Sequence, residues 1–120
     1  MKDFRQLKVW EKAHKLALVA YRVTASFPSD ERFGLSMQVR RCAASIPANI
    51  AEGCGRSGNG EFHRFLQIAM GSASELDYHC LLALDLGFLK TIEFEEIAGQ
   101  VHEVKSMLAP LIRKVEADRK

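Results

Sequence analysis

Apolar residues recur every three or four positions along almost the whole chain, and this spacing constrains the fold more than any other feature of the sequence. Val9, Leu16 and Val23 follow it in the first segment, and Ile97, Val104 and others follow it in the last. A strand would instead alternate apolar and polar side chains, which no segment does. The spacing predicts helices over about residues 4–26, 35–52, 60–86 and 92–117 of a single 120-residue domain. Because the connections are short, we predict an all-α, up-down-up-down four-helix bundle.

The second helix contains a proline, within the segment RRCAASIPANIAEGCGR at Arg40–Arg56. Pro47 has no amide hydrogen to donate, and its ring presses on the carbonyl four residues earlier, so we predict a kink there. Ser45 and Asn49 lie beside the proline and can bond the freed backbone groups. Pro110, inside the apolar stripe of the fourth helix, should kink or restart that helix.

Composition indicates a soluble protein of the cytoplasm. The charged fraction is 27% and the net charge is only +2. Cys42, Cys54 and Cys80 are odd in number and lack C-x-x-C spacing, so we expect reduced thiols. The N-terminus has charges where a signal peptide needs an apolar run, and no segment has the ~20 apolar residues of a membrane span. We therefore expect a cytoplasmic protein with no membrane partner.

Basic residues form a regular edge on the first helix. The edge comprises Arg5, Lys8, Lys12, Lys15 and Arg22, with Val19 in step. It is either a solvated helix face or a strip that contacts the phosphates of RNA or DNA. The strip has no aromatic side chain for stacking, so binding would be directed at the nucleic-acid backbone. Further candidates for phosphate contacts are Arg40, Arg41, Arg56 and Arg64.

A polar stripe follows one face of the second helix. It consists of Gln38, Arg41, Ser45, Asn49 and Glu52. We favour a polar network at a subunit interface; a solvent-exposed face and a ligand site are the alternatives. The first helix and the cluster Leu81, Leu82 and Leu84 hold more apolar surface than one partner face can cover, which indicates an oligomer.

Two further patterns, a glycine-rich loop and a histidine in an apolar stripe, are explained by ordinary structure. Residues 53–58 read G-x-G-x-x-G, but a helix precedes them and no βαβ unit surrounds them, so we predict an inter-helix loop. The amide groups at the start of the third helix, with Arg56 and Arg64 nearby, remain a weaker candidate for holding a phosphate. His14 lies in an apolar stripe and is predicted to be a hydrogen-bonded core residue.

No reaction mechanism emerges from the remaining side chains. The four histidines form no i,i+4 pair, and no cysteine or carboxylate completes a metal-ligand spacing with them. We therefore predict no metal, no cofactor and no catalytic residue.

Three long segments together resemble one protein family. They are FRQLKVWEKAHKLAL, FPSDERFGLSMQVRRCAASIPANIAEGCGR and EFHRFLQIAMGSASELDYHCLLALDLGFL, and SIPANIAEG is the most specific part. The family is that of small four-helix-bundle proteins first noticed as products of intervening sequences within bacterial 23S ribosomal RNA genes. Related proteins accompany diversity-generating retroelements. The resemblance covers about Phe4 to Val115, and Pro110 looks like a departure from the family's usual fourth helix.

The resemblance implies a closed bundle that assembles as a homopentamer, without enzymatic activity and with a suspected role in nucleic-acid binding. A reverse transcriptase is a further partner that it implies. The first hypothesis is thus a non-enzymatic homo-oligomer that binds RNA or DNA through basic helix surfaces. A protein–protein scaffold without nucleic-acid binding is the second, and an enzyme that uses the polar stripe is a distant third. Salt-dependent binding to RNA and DNA discriminates between the first two.

Overall fold

The computed structural model of the protein describes residues 2–119, which form four α-helices and two short 3₁₀ turns. The helices are α1, Lys8–Thr24; α2, Leu35–Cys54; α3, Asn59–Asp85; and α4, Thr91–Ala117. The 3₁₀ turns are Phe4–Gln6 and Ser29–Glu31. Residues 2–119 contain no strand, so the predicted all-α four-helix bundle is confirmed. Over the same residues, no helix combines the length and the apolar character needed to cross a bilayer.

Helix α1 begins four residues later than the sequence predicts. The Asp3 carboxylate accepts a hydrogen bond from the Arg5 amide at 3.0 Å, which favours a tight turn over a regular helix. Leu7 then adopts extended geometry, with φ −87° and ψ 124°, so the α-helix begins at Lys8. The predicted beginning at Phe4 is therefore wrong, because a local side-chain cap competes with helix propagation.

The glycine-rich loop ends with a residue in left-handed geometry. Gly58 has φ +81° and precedes the first residue of α3, which is Asn59. Asparagine is a common N-cap residue, and the sequence favours Asn59 as the N-cap of the third helix. Its side-chain amide instead donates to the carbonyl of Asp118 at 3.2 Å, which fastens the start of α3 to the end of α4.

Each helix packs against two others, and the four close a ring around one core. The pairs in contact among residues 2–119 are α1–α2, α2–α3, α3–α4 and α1–α4. The largest fully buried side chains come from all four helices and include Leu16, Ile46, Leu76 and Ile97. At one end of the bundle, the amide of Lys2 donates to the carbonyl of Cys54 at 3.3 Å. These contacts fit the up-down-up-down order, and the order itself stays a prediction.

Small residues let α2 and α3 approach closely. Ala69 and Ala73 of α3 are completely buried. Gly53 of α2 faces two aromatic rings, and a Cβ there would lie 3.0 Å from side-chain atoms of Phe62 and Phe65. The close contact between α2 and α3 therefore requires a glycine at position 53, because it has no side chain to collide with these rings.

Both prolines lie inside continuous helices. Pro47 is buried within α2. The side-chain amide of Asn49 donates to the carbonyl of Ser45 at 2.8 Å, which is not the Ala43 carbonyl that the proline frees. Pro110 is exposed, and α4 continues past it to Ala117 without a restart. Kinks at the two prolines stay predictions.

Candidate nucleic-acid interface

The basic edge of α1 lies along the contact between α1 and α4. Lys12 pairs with Glu103 at 3.5 Å, and Arg22 pairs with Glu96 at 2.8 Å. Val19, which lies in step with these cations, is buried. The edge is thus partly a seam between two helices, and acidic groups of α4 neutralise part of its charge.

The other cations of that edge differ in their surroundings. Arg5 pairs with Asp3 at 3.4 Å. Lys8 and Lys15 are exposed, and neither forms an ion pair within residues 2–119. The structure therefore leaves two free cations in a strip for which the sequence suggested five.

Arg56 lies in the glycine-rich loop and Arg64 lies on α3, and each is paired with a nearby acidic residue. Arg56 donates to Glu52 at 3.0 Å, and Arg64 donates to Glu61 at 3.2 Å. The hydrogen bond from Arg64 lowers the pKa of the Glu61 carboxyl. Both guanidinium groups lie over the ring of Phe65, at 5.1 and 4.5 Å from its centroid. These contacts occupy the two arginines that would have to hold a phosphate at the start of α3.

A cleft of about 720 Å³ lies between the end of α1 and the beginning of α2, and we call it the arginine cleft. Three guanidinium groups line it, those of Arg32, Arg40 and Arg41. None of the three forms an ion pair with an acidic side chain of residues 2–119. Hydroxyl groups of Thr24 and Ser29 belong to the same lining. The cleft thus combines unneutralised positive charge with uncharged hydrogen-bonding groups.

Arg40 is held in a defined position in this cleft. Its Nε donates to the Thr24 hydroxyl at 2.7 Å, and its Nη2 donates to the Tyr21 carbonyl at 3.3 Å. The guanidinium carbon of Arg40, Cζ, also lies 4.8 Å from the centroid of the Tyr21 ring. Arg41 is held more loosely, by one bond from its Nη2 to the Gln38 side chain at 2.9 Å.

An exposed aromatic residue lies beside the cleft. Phe33 is 77% exposed, and the guanidinium of Arg32 lies 5.3 Å from its ring centroid. Neither residue was among the candidates chosen from the sequence. Arg32 occurs in the connection PSDERFG between the first two helices, and its positive charge is the signal in the sequence that could have identified it.

A second concave surface, the apolar groove, lies between α1 and α2. It has a volume of about 490 Å³ and is lined by Phe4, Trp10, His14, Ala17, Leu18, Tyr21, Ala44, Pro47, Ala48 and Ala51. Leu18 is 58% exposed and Tyr21 is 47% exposed. Tyr21 lines both the groove and the arginine cleft.

His14 belongs to this groove, so the prediction of a core histidine is wrong. Its side chain is exposed and stacks on Trp10, with the ring centroids 5.0 Å apart and the planes 6° from parallel. Trp10 in turn meets Phe4 edge to face at 4.8 Å. The apolar stripe that contains His14 is wider than the core can cover, and the histidine lies on its uncovered margin.

The polar stripe of α2 divides into separate groups instead of one network. Gln38 bonds Arg41, as described above, and Glu52 accepts from Arg56. Between these pairs, Ser45 and Asn49 are half-buried against α3. The Ser45 hydroxyl contacts the Ser72 hydroxyl at 2.9 Å, and the Asn49 amide donates to the Ser45 hydroxyl at 2.8 Å. The central group therefore joins two helices of the same chain.

One turn from that group, Cys42 of α2 lies beside Glu75 and His79 of α3. The thiol sulfur, a carboxylate oxygen and an imidazole nitrogen all lie within 4.8 Å of one another. Sequence spacing predicted no cysteine or carboxylate at a metal-ligand spacing from a histidine, yet the structure brings these three donors together. Glu75 and His79 have i,i+4 spacing, which the sequence could have revealed, whereas the approach of Cys42 depends on how α2 packs on α3.

All three cysteines are buried and free. Burial and the Glu75 carboxylate raise the pKa of Cys42 to about 11. Burial and the charge of Asp77 raise the pKa of Cys80 to about 12. Burial also raises the pKa of Cys54. None of the thiols is thus activated as a nucleophile at neutral pH.

Comparisons with known proteins agree with the fold. The sequence model of a family described as 23S rRNA-intervening sequence protein matches residues 5–110. Among solved structures, the chain is similar to a protein of unknown function from the S23 ribosomal protein family of Bacteroides thetaiotaomicron. The TM-score is 0.81 at 24% sequence identity, over 88% of this chain and 95% of that chain. No curated protein matches the sequence.

Proposed function

The chain belongs to the family of 23S rRNA-intervening sequence proteins, and we propose that it is a non-enzymatic homo-oligomer that binds the backbone of RNA or DNA. The observation that carries this proposal is the arginine cleft. Its three guanidinium groups have no acidic partner in the described residues, whereas Lys12, Arg22, Arg56 and Arg64 each do.

The chemistry of the cleft suits a phosphodiester group. A guanidinium offers two parallel donors that match the oxygens of a phosphate, and the Ser29 hydroxyl adds another donor. Arg40 is already fixed by Thr24 and Tyr21, so little side-chain entropy is lost when it binds an anion. Arg32 and Arg41 have fewer anchors and can adjust to the ligand.

Phe33 favours a single strand over a duplex. Its exposed ring lies next to the cleft, where an unpaired base could stack while the adjacent phosphate contacts Arg32. Bases in a duplex are already stacked and cannot use the ring. The first-helix strip, with only Lys8 and Lys15 free, contributes supplementary phosphate contacts in this arrangement.

Self-association is the second component of the proposal. The apolar groove leaves Leu18, Tyr21 and part of Trp10 in contact with solvent, which is unfavourable for an isolated chain. A second copy would cover this surface. The resemblance of the sequence implies five copies, and in a pentamer the arginine cleft would occur five times, which strengthens binding to a long strand.

A cytoplasmic location belongs to the same proposal. Its support is the set of three free thiols, because an oxidising compartment favours paired cysteines.

The experiment is a titration of the protein with a fluorescent single-stranded RNA, and separately with duplex DNA, at several salt concentrations. We expect binding that weakens steadily with salt and favours the single strand. Absence of binding to either nucleic acid at low salt would overturn the proposal. The scaffold hypothesis, which the apolar groove favours, would then be preferred.

Oligomerisation is tested separately by light scattering. Leu18→Arg places a charge in the apolar groove and should reduce the measured mass towards that of the 13.5 kDa chain. Leu86→Arg is the matched control, because Leu86 is 54% exposed and lies outside the groove. A wild-type mass equal to one chain would refute self-association.

A further inference from the structure

We propose that Cys42, Glu75 and His79 form a binding site for one divalent transition-metal ion of the zinc type, at the contact between α2 and α3. Sulfur, nitrogen and oxygen donors from these three side chains lie within 4.8 Å of one another. Thiolate, imidazole and carboxylate are the ligands that zinc uses in proteins. The thiolate and imidazole make Mg²⁺ and Ca²⁺ unsuitable, since both prefer oxygen ligands.

The spacing of the donor atoms is close to that of a tetrahedral site. Bond lengths of about 2.0–2.3 Å place tetrahedral zinc ligands about 3.3–3.8 Å apart. Because the donor atoms lie within 4.8 Å of one another, binding requires them to approach by at most about 1–1.5 Å, which rotation of side chains can supply. Glu75 has the freedom for this, because its side chain is 56% exposed.

The backbone holds the three residues in position. Glu75 and His79 are one turn apart and lie on the same face of α3. Cys42 faces them from α2, and one turn further along, the contact between Ser45 and Ser72 holds the two helices at a fixed separation. The donors thus project from rigid helices and not from loops.

His79 has an unsatisfied atom in the structure. Its Nε2 contacts a Glu75 oxygen at 3.3 Å, whereas its Nδ1 is buried and has no hydrogen-bond partner within residues 2–119. Buried polar atoms without a partner are uncommon and costly. A metal ion on either ring nitrogen would fix the orientation of the imidazole, and an ion on Nδ1 would also give that atom its missing partner.

Three protein ligands leave one position of a tetrahedral ion open. Because Glu75 is on the solvent side, water can occupy that position. The bound ion would link α2 to α3 and stabilise their contact. The site lies on a different pair of helices from the arginine cleft and the apolar groove, so it does not depend on the proposed function.

The test is a titration of the full-length chain with Co²⁺ followed by competition with Zn²⁺. We expect one equivalent of metal per chain, a thiolate-to-cobalt charge-transfer band and the visible bands of a tetrahedral ion. Cys42→Ala and His79→Gln should each weaken binding at least tenfold. Cys54→Ala and His102→Gln are the matched controls, a second buried thiol and an exposed histidine outside the cluster, and should bind as the wild type does.

Glu75→Gln keeps the test decisive even if the variants at the more buried Cys42 and His79 misfold, because this exposed residue can change without disturbing the core. It should weaken metal binding and leave the melting temperature of the metal-free protein unchanged. The proposal is refuted if His79→Gln and Glu75→Gln bind metal as the wild type does, if no charge-transfer band forms, or if micromolar Zn²⁺ does not bind.

Discussion

The arginine cleft allows a quantitative prediction about salt dependence. In the double variant Arg32→Gln, Arg41→Gln, two guanidinium groups without acidic partners are removed from the cleft. Arg40 remains, because its bonds to Thr24 and Tyr21 join α2 to α1 and its loss would confound stability with binding. Glutamine retains good helix propensity, so the variant should fold as the wild type does.

The expected magnitude follows from the number of phosphate contacts removed. Each contact with a single strand changes log K by about −0.7 per unit of log[salt], so two lost contacts make the slope shallower by about 1.4. Between about 50 and 200 mM salt, the wild type should therefore lose about sevenfold more affinity than the variant does. Sequence preference should hardly change, since phosphate contacts convey no base information.

The assay is fluorescence anisotropy with a single-stranded RNA at four or more salt concentrations. The matched control is Arg56→Gln, Arg64→Gln, which removes the same charge from arginines already paired with Glu52 and Glu61. Its salt slope should stay close to that of the wild type. Equal slopes for the two double variants would refute the assignment of phosphate binding to the cleft.

Three further predictions concern the bundle itself. Pro47→Ala should lower the melting temperature or the oligomer mass, although alanine is the better helix former. The reason is that a bend at Pro47 would shape both α2 and the apolar groove. If neither the melting temperature nor the mass changes, the proline is incidental. Gly53→Ala should destabilise the chain by about 1–3 kcal/mol, since its Cβ would lie 3.0 Å from two phenylalanine side chains. Gly71→Ala, whose Cβ would have no atom within 4 Å, should instead stabilise the chain by up to about 1 kcal/mol. Urea unfolding that ranks the two variants in the opposite order would contradict this prediction. The pKa values of Cys42 and Cys80 are raised to about 11 and about 12, so the two thiols contribute fully to stability below their ordinary pKa of 9.0 and lose that contribution as the pH rises towards 11–12. The melting temperature should therefore fall more steeply with alkaline pH in the wild type than in the Cys42→Ala, Cys80→Ala double variant. Melting temperatures that fall in parallel would contradict this prediction.

Helical spacing in the sequence was sufficient to predict the four helices. The beginning of α2 at Leu35 and of α4 at Thr91 agree within one residue with the predicted starts. The beginning of α1 differs because Asp3 caps a tight turn, an interaction of a single side chain that periodicity does not detect. Local competition of this kind is a common cause of errors at helix ends.

The candidate sites were less predictable, because they depend on how the helices rotate about their axes. The edge that includes Lys12 and Arg22 looked like a free surface in the sequence, yet acids from α4 neutralise both. Cys42 is separated from Glu75 by more than thirty residues, and only the packing of α2 on α3 brings them together. Helical periodicity identifies the residues that share a face, but it does not identify the helix that covers that face.

Tyr21 lies between the arginine cleft and the apolar groove and lines both of them. Its ring lies against the Arg40 guanidinium in the arginine cleft and also borders the apolar groove. A neighbouring subunit that covers the groove would immobilise this ring, and a phosphate held by Arg40 would do the same from the other side. We therefore expect subunit association and nucleic-acid binding to be linked, so that each strengthens the other by the same factor. Sedimentation of dilute protein with and without RNA would measure that factor, and a value of one would show that the two surfaces act independently.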